Sequence, residues 1–172
     1  DIDDAFRYEF AGGQSVRLPG SGVGRTAQAL AEAFGAQAGQ QWRDFMAAAG
    51  AMWAVARPTF LESEMPSGAG LPRWFRPSPV GRWPRRTLRS MTRHYLRDPR
   101  LQLIAEFPCV MSGNDPRTAP AMLATIGYIQ QTFGVQHVAG GIHRLATALT
   151  ERCERLGVRF EYDSPVTAIV GT

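Results

Sequence analysis

The sequence has no lysine, only two cysteines, no long apolar run and no glycine fingerprint of a nucleotide-binding loop. Because lysine is missing, all nineteen basic residues are arginine and a phosphate loop that uses lysine is excluded. No apolar run approaches the roughly 20 residues of a membrane-spanning helix. The first residues, 1–4, are mostly acidic, unlike a signal peptide, so we expect a cytoplasmic location.

The two cysteines, Cys109 and Cys153, lie far apart in the sequence, and both fall within apolar patterns. Free Cys is among the most buried residue types in proteins. We therefore expect two buried free thiols rather than a disulfide.

The most informative stretch that is present lies at the C-terminal end, from Gly140 to Ile169. An apolar stripe at spacings of three and four predicts an amphipathic helix that Gly157 ends. Two short strands should follow, Val158 to Tyr162 by its alternation and Val166 to Val170 after a Ser-Pro turn. This order is typical of the second half of a nucleotide-binding domain. The stripe comprises Ile142, Leu145, Ala146, Leu149, Cys153 and Leu156.

The N-terminal part predicts a β-hairpin and then a long helical region. Phe6, Tyr8 and Phe10 alternate with polar residues before a glycine turn, and the return strand ends at Leu18. Thr26 is the expected N-cap of the helical region, and Pro58 should end it. Glycines weaken this region, which should divide into two helices. The apolar face comprises Leu30, Phe34, Ala38, Trp42, Phe45, Met46, Ala49 and Trp53, and the glycines are Gly35, Gly39 and Gly50.

Three more helices are predicted before the C-terminal stretch. They span residues 87–96, 98–111 and 120–133, and the last places Met122, Ile126, Ile129 and Phe133 on one side. Helices outnumber the few short strands, so the predicted fold class is α+β and predominantly helical.

Residues 65–86 combine prolines, glycines, arginines and tryptophans, so we expect an irregular loop. Together with the next helix, the segment could hold phosphates and stack on bases, contact an anionic bilayer, or be a solvated loop and an ordinary basic helix. Prolines interrupt the continuous basic face that nucleic acid would need, so we do not expect nucleic acid as a partner. Nine arginines lie between Leu71 and Leu101: Arg73, Arg76, Arg82, Arg85, Arg86, Arg89, Arg93, Arg97 and Arg100.

Other candidate sites are weak. The glycine-rich run Gly20 to Thr26 matches neither phosphate-loop spacing, and a flexible linker is the favoured interpretation. His137 and His143 have no nearby cysteine or carboxylate, so we expect no metal site. His94 should be a surface residue. The acids Glu62, Glu64 and Asp115 are scattered near loops, and nothing marks them as a catalytic pair.

Several weak motifs, taken in order, resemble one family. They are Leu96 to Leu101, Gly113 to Ala121, Phe133 to Val135, Gly140 to Ile142 and Leu156 to Val158. This ordered set resembles the middle of the phytoene desaturase-like flavin oxidoreductases, relatives of the flavin-containing amine oxidases. The Phe6 to Leu18 hairpin is similar to the point where that family enters its substrate domain.

The resemblance implies a fold, a cofactor and one cofactor contact. Residues 1–139 would be the substrate, or cap, domain, and residues 140–172 an incomplete returning segment of a Rossmann-type FAD domain. Val166 would give a backbone contact to the adenine end of FAD. The full-length enzyme would remove hydride from a lipophilic substrate, whereas this chain alone should be inactive and bind no FAD. The resemblance identifies no catalytic residue and no oligomeric state.

The chain departs from the family before the paired glycines. Carotenoid-converting members usually carry aromatics and a proline there, whereas this chain has Gln136 to Ala139. The resemblance therefore does not imply a carotenoid substrate. Two other functions stay open: a stand-alone basic module for an anionic membrane surface or nucleic acid, and a helical domain that dimerises through its apolar stripes.

Overall fold

The structure is a computed structural model that describes residues 4–62 and 86–170. The chain divides into two compact units, Asp1–Gln136 and His137–Thr172. Within the described residues the fold is mostly helical, with six α-helices and one two-stranded sheet. The predicted predominance of helix is therefore confirmed, whereas the assignment of the units to substrate and FAD domains stays a prediction.

The predicted N-terminal hairpin is confirmed. Strands β1 (Phe6–Glu9) and β2 (Ser15–Leu18) pair antiparallel, with Phe6 opposite Leu18 and Tyr8 opposite Val16. Both pairs lie on one face, because successive side chains alternate across a strand. Val16 and Leu18 are buried, so this face covers the core of the first unit.

The long helical region divides at Gly35, as expected. Helices α1 (Val23–Phe34) and α2 (Ala36–Ala56) meet there, and Gly35 has φ 97°. Such a positive φ strains any residue with a Cβ atom, so glycine suits the break. A wide helical turn, Arg57–Leu61, follows α2 with Pro58 near its start, so the helical path ends slightly later than predicted.

The predicted N-cap at Thr26 is wrong. Gly22 caps α1 instead, and the Thr26 N–H donates to the Gly22 carbonyl at 3.0 Å. Thr26 is therefore inside the first turn, where its hydroxyl cannot cap the helix. The residue is 1% exposed.

Helices α3 (Leu88–Tyr95) and α4 (Pro99–Met111) confirm the next two predictions. The Thr87 hydroxyl accepts a hydrogen bond from the Ser90 N–H at the start of α3, and the Asp98 carboxylate accepts one from the Arg100 N–H at the start of α4. These are N-caps that satisfy otherwise unpaired donors. The Arg100 guanidinium bonded to the Asp98 carboxylate holds the pKa of that carboxyl below its usual range.

Helix α5 (Ala124–Phe133) follows a short 3₁₀ turn, Ala121–Leu123. Its fully buried positions are small or polar residues rather than the large apolar residues predicted to share one side. The small face lets α5 approach α2 and α4 closely: a Cβ atom added at Gly127 would lie 3.7 Å from the Met46 side chain and 3.8 Å from Pro108. The buried positions are Ala121, Ala124, Thr125 and Gly127, whereas Met122, Ile126 and Ile129 are half-buried and Phe133 is exposed.

The core of the first unit lies between these helices and the hairpin. All five helices, α1 through α5, contribute buried side chains to this core. Unfolding of any one of them would expose apolar surface on its neighbours. Its largest fully buried side chains include Leu30, Trp42, Phe45, Met46, Met52, Leu88, Met91, Leu96 and Leu101.

The second unit contains helix α6 (His143–Arg155) and the residues after it. The two predicted strands are wrong for this structure, because 158–170 carries no assigned strand. A strand requires hydrogen bonds from a neighbour, and no described segment pairs with this one. The Phe160 and Tyr162 rings nevertheless stack at 6.2 Å, as side chains two residues apart can on an extended chain.

Candidate functional site

A small cavity lies inside the first unit, where the hairpin meets α1, α2, α4 and α5. Its volume is about 30 Å³, enough for a water molecule or two but not for an organic ligand. Most of its lining is apolar or aromatic. The lining residues are Phe6, Tyr8, Leu18, Pro19, Gly20, Thr26, Trp42, Met46, Ile104, Ala105, Pro108, Gly127, Gln130 and Gln131.

Three polar side chains line this cavity, those of Gln131, Tyr8 and Thr26, and they differ in their hydrogen bonding and environment. The Gln131 Oε1 atom accepts a hydrogen bond from Trp42 Nε1 at 3.1 Å. Burial raises the pKa of Tyr8 to about 12, so its hydroxyl stays protonated at neutral pH. Among the described residues, the Thr26 hydroxyl has no hydrogen-bond partner. An unpaired buried hydroxyl costs about 1 to 3 kcal/mol.

Replacing Thr26 with valine should therefore stabilise the protein. Valine keeps the shape of the side chain and removes the unpaired hydroxyl, so we expect the free energy of unfolding to rise by about 1 kcal/mol. Urea denaturation followed by tryptophan fluorescence measures this change.

Thr92 supplies the matched control, because it is also fully buried but its hydroxyl is paired. Its Oγ1 atom lies 2.6 Å from Glu106 Oε1 and 3.1 Å from the Arg89 carbonyl oxygen. Thr92→Val should destabilise the protein by about 1 to 2 kcal/mol. Equal losses from both substitutions would contradict the unpaired state of Thr26.

The glycine-rich run before α1 is held in place instead of acting as a flexible linker. The Gly22 N–H donates to the Gln131 carbonyl at 2.7 Å, and the Gly20 carbonyl accepts from the Val135 N–H at 2.9 Å. Both bonds fix the run to the end of α5. The Gly22 N–H is therefore already used and is not available to an anion at the start of α1.

A buried carboxylate joins α3 to α4. Glu106 is 5% exposed, and its Oε1 atom accepts hydrogen bonds from Arg89 Nε at 2.7 Å and from the Thr92 hydroxyl. A buried charge with two donors is satisfied, so this cluster stabilises the contact between the two helices. Nothing in the sequence pattern indicated the cluster, because Arg89 and Glu106 belong to different helices.

The other acids considered as catalytic candidates do not come together. Glu62 pairs with Arg57 at 2.7 Å, and Asp115 pairs with Arg117 at 2.9 Å. Glu64 lies outside the described residues. Both pairs are exposed and local, so neither forms an acid-base site.

The histidines and cysteines form no cluster. In residues 4–62 and 86–170, no three His, Cys, Asp or Glu side chains are placed to hold a metal ion. Both cysteines are free, as expected, but only Cys109 is buried, whereas Cys153 is half-buried and not buried as predicted. Burial raises the pKa of the Cys109 thiol, with smaller effects from Glu106 and Asp115. His94 is exposed, as predicted.

The predicted cofactor residue, Val166, lies in the irregular segment of the second unit. Its side chain is 83% exposed, and Ile169 and Val170 are similarly exposed. The stripe predicted on α6 is exposed as well, since Ile142, Leu145 and Leu149 are each more than half exposed and the helix has no buried residue. The second unit thus presents apolar surface that nothing within it covers.

None of the helices in the described part of the chain combines the length and the hydropathy needed to cross a bilayer. The Pro/Arg/Trp-rich loop of residues 65–86 lies outside the described residues, apart from Arg86.

Comparison with known proteins places the chain near one class. No protein-family model matches it. Similar proteins include a carotenoid 3,4-desaturase, a 4,4'-diapolycopene oxygenase and a 4,4'-diapophytoene desaturase, and the similarity is distant and partial. The resemblance to phytoene desaturase-like proteins is confirmed at that level.

Three relatives illustrate the match. Carotenoid 3,4-desaturase of Haloarcula japonica is 34% identical over 92 residues, which is 54% of this chain and 19% of the relative. The 4,4'-diapolycopene oxygenase of a Methylomonas species is 31% identical over 84 residues, 49% of this chain and 17% of the relative. The 4,4'-diapophytoene desaturase of Staphylococcus aureus strain Newman is 28% identical over 81 residues, 47% of this chain and 16% of the relative. The match thus spans less than a fifth of each relative.

Proposed function

We propose that this chain is the interior part of a FAD-dependent oxidoreductase that removes hydride from a lipophilic substrate. The observation that carries the proposal is the similarity to carotenoid desaturases over about half of the chain. The ordered motifs from Leu96 to Val158 support it. The whole enzyme's activity belongs to the proposal, because the match covers only a small share of each relative.

We further propose that residues 1–139 form the substrate domain and residues 140–172 the returning segment of the FAD domain. The first unit supports this division, because it has its own buried core. The second unit supports the division because it lacks such a core. Its apolar residues from Ile142 to Val170 are exposed, as expected of a segment whose packing partner is elsewhere in the protein. In the whole protein, a sheet of the FAD domain would cover them and pair with residues 158–170.

The described residues fit FAD only in part. Val166 would offer backbone atoms to the adenine end of the cofactor. The described residues contain no phosphate-binding loop. In the glycine-rich run before α1, the Gly22 N–H donates to the Gln131 carbonyl of α5 and is not available to a phosphate. A site without its pyrophosphate loop lacks most of its charge-binding groups. We therefore expect residues 1–172 alone to bind no FAD and to be inactive.

The chain's own contribution to the reaction would be a dry and rigid substrate domain. Trp42, Phe45 and Tyr95 pack ring against ring in the first unit, and Trp42 and Phe45 are almost fully buried. No described residue has the geometry of a catalytic acid, base or nucleophile, so the proposal assigns no catalytic residue.

Flavin binding by the longer protein tests the proposal. The protein encoded with its upstream and downstream sequence should purify yellow, with the absorption bands of bound flavin, whereas residues 1–172 alone should purify colourless. A native start codon directly before Asp1, or a colourless longer protein to which added FAD does not bind, would refute the enzyme function.

Substitution of Val166 in the longer protein tests the cofactor contact. Val166→Pro removes the backbone N–H and should weaken FAD binding by about tenfold, whereas Val166→Ala keeps the backbone and should leave it nearly unchanged. Fluorescence titration of the apoprotein with FAD measures both affinities, and circular dichroism checks that each variant is folded. Equal effects of the two variants would assign Val166 a packing role instead.

Residues 65–86 remain our candidate for a lid or a peripheral membrane contact, on composition alone. If the chain were instead a stand-alone module, residues 1–172 alone would bind the anionic membrane or the nucleic acid as tightly as the longer protein does. The longer protein would then contain no flavin.

A further inference from the structure

The β1–β2 hairpin is attached to the helices of the first unit near both of its ends. Both strands meet the rest of the chain at one end, the base. There the Gly22 N–H donates to the Gln131 carbonyl at 2.7 Å. The Gly20 carbonyl accepts from the Val135 N–H at 2.9 Å. A two-stranded hairpin is marginally stable by itself, so its attachments decide whether it stays in place.

The other end of the hairpin, its turn, is held by Arg100 at the start of α4. The Arg100 Nη1 atom donates to Gln14 Oε1, and the guanidinium carbon lies 4.3 Å from the centre of the Phe34 ring on α1. Gln14 also donates through Nε2 to the Ala33 carbonyl at 3.2 Å. The Phe10 ring meets the Phe34 ring edge to face at 5.8 Å. Arg100 therefore contacts both the hairpin turn and the end of α1.

Asp98 fixes the direction of the Arg100 guanidinium. Both carboxylate oxygens of Asp98 accept from Arg100 Nε, at 3.0 and 3.1 Å. The same carboxylate caps α4 through the Arg100 backbone N–H at 2.8 Å, so the helix sets its position. A guanidinium is planar and presents its donors in a rigid fork. An ion pair on one edge therefore aims the Nη1 group at Gln14.

The internal cavity lies beneath this hairpin. Phe6, Tyr8 and Leu18 of the hairpin form part of its lining, and Thr26 of α1 and Trp42 of α2 belong to the rest. Movement of the hairpin away from the helices would remove the first three side chains from the lining. Since the closed cavity measures only about 30 Å³, it admits a larger molecule only when the hairpin is displaced.

We propose that the hairpin is a flap over this cavity and that Arg100 is its latch. When the contacts of Arg100 break, residues 5–18 move away from α1 and α4 as one piece, about a hinge beside Gly20. The cavity lining then becomes accessible to small molecules. Opening is infrequent, because it takes Val16 and Leu18 out of the core. It needs no flavin, so the proposal is independent of the oxidoreductase function.

Hydrogen exchange followed by mass spectrometry tests the latch, on the full protein with any residues before Asp1 and after Thr172. Arg100→Gln should raise the exchange rate of the amides of residues 5–18 by about tenfold, since it removes the ring contact and the guanidinium bond. Helices α2 and α5 should exchange as in the wild type. The start of α4 keeps its cap, because Asp98 still accepts from the backbone N–H of residue 100.

Arg17→Gln is the matched control, because Arg17 is an arginine of the same hairpin. It pairs with Asp4 at 3.1 Å, and its side chain is 63% exposed. Both partners lie at the base of the hairpin, and exposed pairs contribute little to stability. The exchange of residues 5–18 should therefore stay unchanged. Acceleration equal to that of Arg100→Gln would overturn the latch.

Gln14→Ala tests the same latch from the other side. Gln14 is exposed, so its substitution leaves the core intact. It should accelerate the exchange of residues 5–18, and the double variant with Arg100→Gln should exchange more slowly than the product of the two single effects predicts, because the two residues share one contact. Independent effects, or equal acceleration in all helices, would contradict the latch.

Thiol labelling tests whether the opening reaches the cavity. Thr26→Cys places a thiol in the cavity lining, and the fully buried Cys109 of α4 reports on global unfolding in the same molecule. With Arg100→Gln added, iodoacetamide should modify the thiol at position 26 about tenfold faster and Cys109 at an unchanged rate. Unchanged labelling at position 26, or equal acceleration of both thiols, would overturn the flap. So would a wild-type hairpin that exchanges only together with the core, as when another part of the protein holds it shut.

Discussion

Replacing Gly39 with alanine should destabilise the first unit by about 2 to 3 kcal/mol. A Cβ atom at this position would lie 2.6 Å from the Ala27 carbonyl oxygen and 2.9 Å from the Ala31 Cβ atom, both on α1. The nearest obstacle is backbone, so it cannot move aside as a flexible side chain could. Helices α1 and α2 would have to separate, and the core beneath them would loosen. Urea denaturation measures the loss.

Gly24→Ala is the control for this prediction. Gly24 is also helical, on α1, and an added Cβ atom there would meet nothing within 4 Å. Alanine should therefore stabilise the helix by about 0.5 to 1 kcal/mol through its better propensity. If both glycines responded with the same sign, close packing of α1 on α2 would not explain the effect at Gly39.

Replacing Arg89 with methionine should cost about 2 to 3 kcal/mol of unfolding free energy. The substitution leaves the Glu106 carboxylate buried with only the Thr92 hydroxyl as donor. Removing one partner of a buried ion pair costs more than the pair itself contributes, because an uncompensated charge remains. We place the loss below the range for fully buried pairs, since Arg89 is about one third exposed.

Two comparisons isolate the buried charge as the cause. Arg117→Met breaks the exposed pair with Asp115 and should leave the urea midpoint unchanged. Adding Glu106→Met to Arg89→Met removes the charge as well, and should recover most of the lost stability. A double variant no more stable than Arg89→Met would show instead that the loss comes from packing of the arginine stem.

The features that sequence predicted correctly are those with local causes. The hairpin follows from alternation over a few residues and a glycine turn. The break at Gly35 follows from the conformational freedom of one residue, and the starts of α3 and α4 from Thr87 and from Asp98 before Pro99. Each signal lies within about one turn of the structure it specifies.

The errors arise where distant segments decide the outcome. Thr26 has the right chemistry for an N-cap, yet the helix begins earlier, next to Gly22, whose N–H donates to the distant Gln131 carbonyl. Periodicity placed the large residues of α5 on one side, yet its fully buried positions are small or polar residues, with Gly127 next to Met46 of α2. The Glu106 cluster joins two helices, so no spacing within either helix could reveal it.

The candidate site follows the same division. The apolar outer side of α4 could have been found from sequence, since that helix carries only Arg100 and Glu106 as charged residues. The ion pair between Arg89 of α3 and Glu106 of α4 could not, because it depends on how the two helices lie beside each other. Val166 was chosen through family resemblance, and its contact with FAD stays a prediction.

The segment 158–170 has a consequence for how the protein is made. It is rich in β-branched and aromatic residues, and its backbone has no strand beside it within the described chain. Unpaired segments of this kind are templates for pairing with other chains. If a strand of the proposed FAD domain pairs with this segment, the aggregation risk during synthesis would be greatest before that strand is made.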